Sequence, residues 1–164
     1  MSILNICTWL EATPVGILVR ESLWGFQIVV ALHLLALAFS VGTLVWFDLR
    51  LLGVSMRGFR VSEVYRRLAP WMLTGFATML VTGTMLFIAF ATRAYDNVFF
   101  RIKLAAMLLA GVNALMFHFI TERQIAGWDE SPSPPFGAKL AGGISMLAWT
   151  VVVLAGRIMS YTMF

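Results

Sequence analysis

Four long apolar stretches, separated by shorter polar ones, set the pattern of this chain. The first, Leu23 to Phe47, reads LWGFQIVVALHLLALAFSVGTLVWF and holds no carboxylate, Lys or Arg. At about 1.5 Å of rise per residue, such a run crosses the hydrocarbon core of a bilayer as one helix. Three more spans are predicted, over 70–92, 102–121 and 140–161. Pro70 suits the first turn of the second span. In that span Thr74, Thr78 and Thr82 recur at every fourth position, with Gly75 and Gly83 beside them. Hydroxyls that bond back to the helix, next to small residues that let helices approach, predict an inward face whose purpose is packing. The third span carries Gly111, Ala114 and His118 on one face, with Asn113 close by. The fourth opens on Gly142 and Gly143 and holds Arg157 near its end.

The connections are informative in a different way. Residues 1–22, MSILNICTWLEATPVGILVRES, are too polar and too broken by Pro14 to span. They predict a short interfacial amphipathic helix, with Trp9 and Trp24 at headgroup level. The stretch FDLRLLGVSMRGFRVSEVYRRL is the most basic of the chain. It reads as a helical extension, a turn at Gly53 and Gly58, and an amphipathic lead-in to the second span. Asp48 and Arg50, at the end of the first span, read as a helix cap or a headgroup contact. Ser-Pro-Ser-Pro-Pro at 131–135 cannot be helical and reads as an exposed connection. The expected fold class is an all-α membrane protein: the interfacial helix over 1–22, then a single up-down bundle of four transmembrane helices over 23–164.

Composition strengthens this picture. Hydrophobic residues make up 60% of the chain and charged ones 12%, about half the charged share of a typical soluble domain. Polar surface is too scarce to cover a water-soluble globule, so the lipid bilayer is the expected partner. The net charge of +4 reads as loop Arg and Lys at headgroups, and no nucleic-acid partner is expected. The connections between spans 1 and 2 and between spans 3 and 4 carry about seven basic residues, and the opposite side about five. The positive-inside rule then puts both termini outside and the Arg-rich loop in the cytoplasm. The single cysteine, Cys7, excludes an internal disulfide and a c-type haem attachment. No secretory signal is expected, because Glu11 and Pro14 interrupt the first apolar residues. No nucleotide-binding motif occurs.

The candidate chemistry rests on the two histidines. His33 lies near the middle of the first span and His118 in the third, while the polar loops contain none. An ionisable ring at membrane depth is costly without a partner, a ligand or water. Spans 1 and 3 run parallel, and from the expected boundaries the two residues differ in height by about 7 Å. Helix tilt and a shift of about three residues in the helix ends cover most of that gap. The two rings are therefore candidate axial ligands of one haem b iron. Gly111 and Ala114 beside His118, and Ala36 and Ser40 near the His33 face, are the small residues a macrocycle would need. Arg20 and Arg157, or Arg50 on the other side, are candidate propionate partners. The competing reading is structural. A membrane histidine bonded to Thr78, Thr82 or Asn113 holds helices together or relays protons without any cofactor. Lys103 and Arg157 read as snorkelling side chains. A metal site made by the two histidines alone lacks a third ligand.

Several segments carry a resemblance. WLEATPVGILVRESLW, ALHLLALAFSVGTLVWFDLRLLG, RRLAPWMLTGFATMLVTGTMLF and FRIKLAAMLLAGVNALMFH together resemble an uncharacterised bacterial family of four-span inner-membrane proteins, over nearly the whole chain. More distantly, Ala31-Leu32-His33 with the turn around Ser40 and Gly42, and Lys103-Leu104, are similar to CopD-type copper-resistance membrane domains and HemJ-type protoporphyrinogen oxidases. The HemJ-type resemblance implies haem b and activity at His33 and Lys103. The chain departs from it in the third span: the HemJ-type histidine follows its lysine by about three helical turns, where this chain has Asn113 and Ala114. The Asn113 region is closer to the CopD-type pattern, which implies a transport or accessory role.

The reading that follows is a b-type haem-binding membrane protein passing electrons between the quinone pool and a redox-partner protein. His33 and His118 would be the iron ligands, with Arg20, Arg157 and Gly111 completing the cofactor site. Two alternatives stay open. One is a haem-free structural or accessory subunit or a small metal or proton transporter. The other is a HemJ-like tetrapyrrole oxidase that needs Lys103. Whether the chain is an enzyme is left open by the sequence. Glycine-faced spans 2 and 4 permit a homo-oligomer.

Overall fold

The computed structural model describes residues 2–121, 125 and 127–163, and all the long elements among them are helices. The chain opens with α1 (Ile3–Glu11) and α2 (Pro14–Glu21). These are two helices bent by 63°, where the sequence predicted one. The break is local chemistry. Thr13 caps α2, its Oγ1 accepting from Gly16 N at 3.3 Å, and Pro14 takes the first helical position, where no N–H is needed. The pair lies across one end of the molecule. Glu11 Oε1 accepts from Thr92 N at 2.8 Å and from Thr92 Oγ1 at 2.6 Å. Val19 packs with Val29 and Ala89 beneath it. Trp9, Leu18, Leu23 and Trp24 remain exposed, as apolar and amphipathic side chains at a bilayer boundary do.

Among the described residues four helices are long and apolar enough to cross a membrane: α3 (Gly25–Leu51), α4 (Val61–Ala89), α6 (Val98–Met116, continued by a π-helical turn at Phe117–Thr121) and α7 (Phe136–Met163). The short α5 (Ala91–Asp96) joins α4 to α6. This is the architecture of a multi-pass membrane protein, running up, down, up and down. The end with both chain termini is called the terminal face below, and the opposite end the loop face.

The last three spans each start earlier than expected, for a local reason. α4 starts nine residues before Pro70, at Val61, because the amphipathic lead-in continues into the span as one helix. Pro70 therefore sits inside α4, where it offers no N–H to the Arg66 carbonyl, a loss that membrane helices tolerate. α6 starts at Val98 because Asn97 Oδ1 accepts from Phe99 N at 2.9 Å and Phe100 N at 3.4 Å. α7 starts at Phe136, directly after the Pro-rich connection.

The helices pack as two hairpins, α3 with α4 and α6 with α7, joined through α3 against α7. Where α3 meets α4, Gly75 faces Ala36 and Ser40: a Cβ on Gly75 would stand 2.8 Å from Ser40 N and 2.9 Å from Ala36 O. Ser40 Oγ also donates to Met72 O at 3.1 Å. Small residues thus bring the two backbones together. Thr82 and Met79 share this buried side, while Thr74 and Thr78 are exposed and bond along their own helix. The central layer joins all four spans through Ala36, Met79, Ala106, Ala110, Ala148 and Trp149.

Candidate functional site

His33 is half-buried in α3, about 12 Å below the terminal end of that helix at 1.5 Å per residue. Its Nδ1 lies 2.9 Å from Thr82 Oγ1 on α4. The Thr82 hydroxyl lies 2.7 Å from the Thr78 carbonyl, to which it donates its proton. Thr82 Oγ1 is then the acceptor and His33 Nδ1 the donor, with the Met79 carbonyl as a further acceptor near the ring. That tautomer leaves Nε2 with a bare lone pair, the form of imidazole that binds a metal or takes up a proton. The ring fits closely against α4, because a Cβ on Gly83 would stand 3.1 Å from His33 Cε1.

The other two spans complete this layer. Lys103, half-buried in α6, lies along Gly156 of α7, where a Cβ would stand 3.7 Å from Nζ. Its charge reaches the His33 ring. By helix arithmetic Thr82, Lys103 and Gly156 lie about 8–10 Å below the terminal ends of their helices, close to the depth of His33. One residue from each spanning helix therefore meets at one level: an imidazole, a hydroxyl, an amine and a glycine. His33 and Thr82 belong to one hairpin, Lys103 and Gly156 to the other.

His118 is elsewhere. It occupies the π-helical turn at the loop end of α6, exposed, with its ring 5.2 Å from that of Phe119. Because α6 begins at Val98, His118 lies about 30 Å along it, some 18 Å deeper than His33. The structure does not bring the two imidazoles together. Gly111 and Ala114 are exposed on α6, with open space around Gly111, and Ala36 and Ser40 are covered by Gly75. Arg157 folds back on its own helix, donating to Tyr161 Oη at 2.7 Å with its guanidinium 4.7 Å from that ring's centre. Arg20 is at the terminal face, donating to Ala89 O at 3.4 Å, with Glu11 and Glu21 beside it at 4.0 and 3.5 Å. It lines a cleft of about 540 Å³ between α1, α2 and the α4–α5 junction. Along α4, that cleft is about 10 Å above Thr82. Among the described residues no group of three or more His, Cys, Asp or Glu is gathered for a metal ion.

A family model matches residues 8–162. The chain belongs to DUF6644, a family of unknown function. No curated protein and no solved structure matches the chain, and no link to CopD-type or HemJ-type proteins comes from these comparisons.

This DUF6644 chain also has a polar cluster at its loop face. Arg50 is fully buried; Nε donates to Phe59 O and Nη2 to Ser131 O, both at 3.0 Å. Asp48 is 2% exposed and lies within hydrogen-bonding reach of the Ser145 hydroxyl on α7. Neither is the cap or headgroup contact that the sequence suggested. Asp48 is covered by α7, and Arg50 by the 128–135 connection, which folds back over the end of α3. Asp129 fastens it, its Oδ1 accepting from Ser62 N at 2.8 Å and Oδ2 from Ser62 Oγ at 2.6 Å. Asp129 thereby caps α4, whose own N-cap residue, Arg60, makes no side-chain cap bond. Burial alone would raise the Asp129 carboxyl; the two Ser62 bonds and the charges of Arg60 and Arg50 outweigh it and hold the group below the ordinary aspartate range. The signal for this cluster was available in the sequence, as a carboxylate and a guanidinium set among Phe47, Leu49, Leu51 and Leu52 and not in the polar part of the loop.

Proposed function

We propose that this chain is a haem-binding membrane protein in which His33 Nε2 would hold the iron of a b-type haem and Lys103 would be the cation beside it. The observation that carries the reading is the Thr82 bond to His33 Nδ1. A ligating histidine is held in one tautomer by an acceptor on its other nitrogen, and Thr82 is such an acceptor. Arg20, about 10 Å nearer the terminal face, is a cation within reach of a propionate. A bound haem would supply one-electron redox chemistry. The protein's own part is to orient the imidazole, to hold a positive charge next to it in Lys103, and to keep water out with the Met79 and Trp149 layer below. We assign the chain to the bacterial inner membrane with periplasmic termini, exchanging electrons between the quinone pool and a redox-partner protein.

The test is a reduced-minus-oxidised visible spectrum of the purified protein, expressed with ample haem, beside His33→Ala and His118→Ala. A b-type band present in wild type and His118→Ala but lost in His33→Ala supports the assignment. Loss in both variants restores the paired-histidine site. A wild-type protein without a Soret band overturns haem binding. The haem-free reading, a small proton transporter, is favoured by one observation: the neighbour of His33 is a second titratable base, Lys103, and not a second imidazole. Proton flux lost in His33→Ala proteoliposomes, with no visible spectrum in the wild type, would select it.

A further inference from the structure

We propose that Asp48 is a proton-binding site inside the loop-facing half of the bundle, with its carboxyl held by Ser145. The inference does not depend on haem. Asp48 is in the last turn of α3 and is almost completely buried. Close packing puts it there, since a Cβ on Gly142 of α7 would stand 3.0 Å from the Asp48 carbonyl oxygen. One turn further along α7, Ser145 reaches the carboxyl. The Oδ2 atom is buried and has no hydrogen-bond partner among the described residues. A carboxylate oxygen in that position requires a countercharge, a metal ion or a proton.

The first two are not supplied by the described residues. Arg50 is turned to the carbonyls of Phe59 and Ser131; its Nη1 is buried without a hydrogen-bond partner among the described residues, and it makes no bond to Asp48. Arg60 pairs with Glu130, and Lys139 donates to Ser133 Oγ at 2.9 Å. Asp129 is engaged with Ser62. On α6, His118 is exposed and Asn113 Nδ2 donates to Ala141 O at 2.9 Å. Among the described residues no charged neighbour acts on the carboxyl, where burial and Ser145 do. A hard cation needs about six oxygens, and Asp48 with Ser145 offers too few. A proton remains, and it neutralises the group without further ligands. Asp48 is about one helical turn from the loop face, so the proton exchanges with that side of the membrane.

The test is an infrared pH titration of the full-length protein in liposomes, in H2O and D2O, for wild type, Asp48→Asn and Ser145→Ala. The wild type should show a deuterium-sensitive carbonyl band of a protonated carboxyl that disappears reversibly as pH rises. Asp48→Asn should lack that band. Ser145→Ala should keep it at a higher frequency, because the carbonyl has lost a hydrogen bond. An Asp48→Asn spectrum identical to wild type across the titration overturns the proposal. If Asp48→Asn does not fold, a Ser145→Ala band unmoved from the wild-type position overturns it equally.

Discussion

His33 and Thr82 are joined side chain to side chain across α3 and α4, Nδ1 to Oγ1 at 2.9 Å. The relay from the Thr78 carbonyl through the Thr82 hydroxyl to the ring fixes the His33 tautomer. Thr82→Val keeps the shape and removes the acceptor. The expected outcome is a folded protein whose haem affinity falls by about 10–100-fold, the usual effect of losing an orienting partner. Haem titration followed at the Soret band checks it. Unchanged affinity would mean that Thr82 does not orient the ligand.

Gly75 decides how closely the first hairpin packs. A side chain there meets the backbone of Ala36 and Ser40 at under 3 Å, and backbone cannot step aside as a flexible side chain can. Gly75→Leu should cost about 1–3 kcal/mol by overpacking, or separate α3 from α4. Thermal unfolding in detergent, compared with Gly111→Leu, gives the contrast. The Gly111 variant should be close to neutral, because nothing lies within 4 Å of a Cβ there.

Arg50 joins three pieces of chain: the end of α3, the lead-in to α4 at Phe59, and the connection at Ser131. Arg50→Met should cost about 3 kcal/mol, since two charge-assisted bonds are lost and two carbonyls lose their partner. The 128–135 connection should become open to protease while the spans stay protected. Limited proteolysis read by mass spectrometry measures this directly.

The same clasp should respond to acid. Asp129 is held below its ordinary range in the folded protein, so it stabilises the clasp at any pH above about 3.9, the unfolded value. That contribution is lost as pH falls through the folded value. Protease sensitivity of the connection should therefore rise on acidification below about pH 4. Asp129→Ala should show raised sensitivity already at neutral pH, with a cost of about 1 kcal/mol for the lost cap.

The glycines of spans 2 and 4 show how a sequence pattern can be read correctly in kind but not in detail. Small residues at intervals predict close approach, and close approach is present. What approaches differs at each position: backbone at Gly75 and Gly142, the His33 ring at Gly83, the Lys103 chain at Gly156. Nothing in the spacing distinguishes a helix crossing from a niche for an imidazole. Lys103 is the clearest case. Near a span end it reads as a snorkelling side chain, yet it lies along α7 with its charge reaching His33.

The sequence alone determined the four spans, their up-down order and the presence of an ionisable ring inside the first. Those are local properties. In lipid a backbone must satisfy its own hydrogen bonds, so a long apolar run has no alternative to a helix. The tertiary structure decided which groups face one another. Helix rotation, pairing and starting point set the partner of each side chain, and small differences in them are decisive. Asn97 starts α6 four residues before the expected boundary, and together with the start of α3 two residues later than expected this moves His118 a further 9 Å or so from the level of His33. The fold of the 128–135 connection over α3 converts Arg50 from a boundary residue into a buried one, and the close packing of α7 does the same for Asp48. Neither event leaves a period or motif in the chain, because each depends on contacts between segments far apart in sequence.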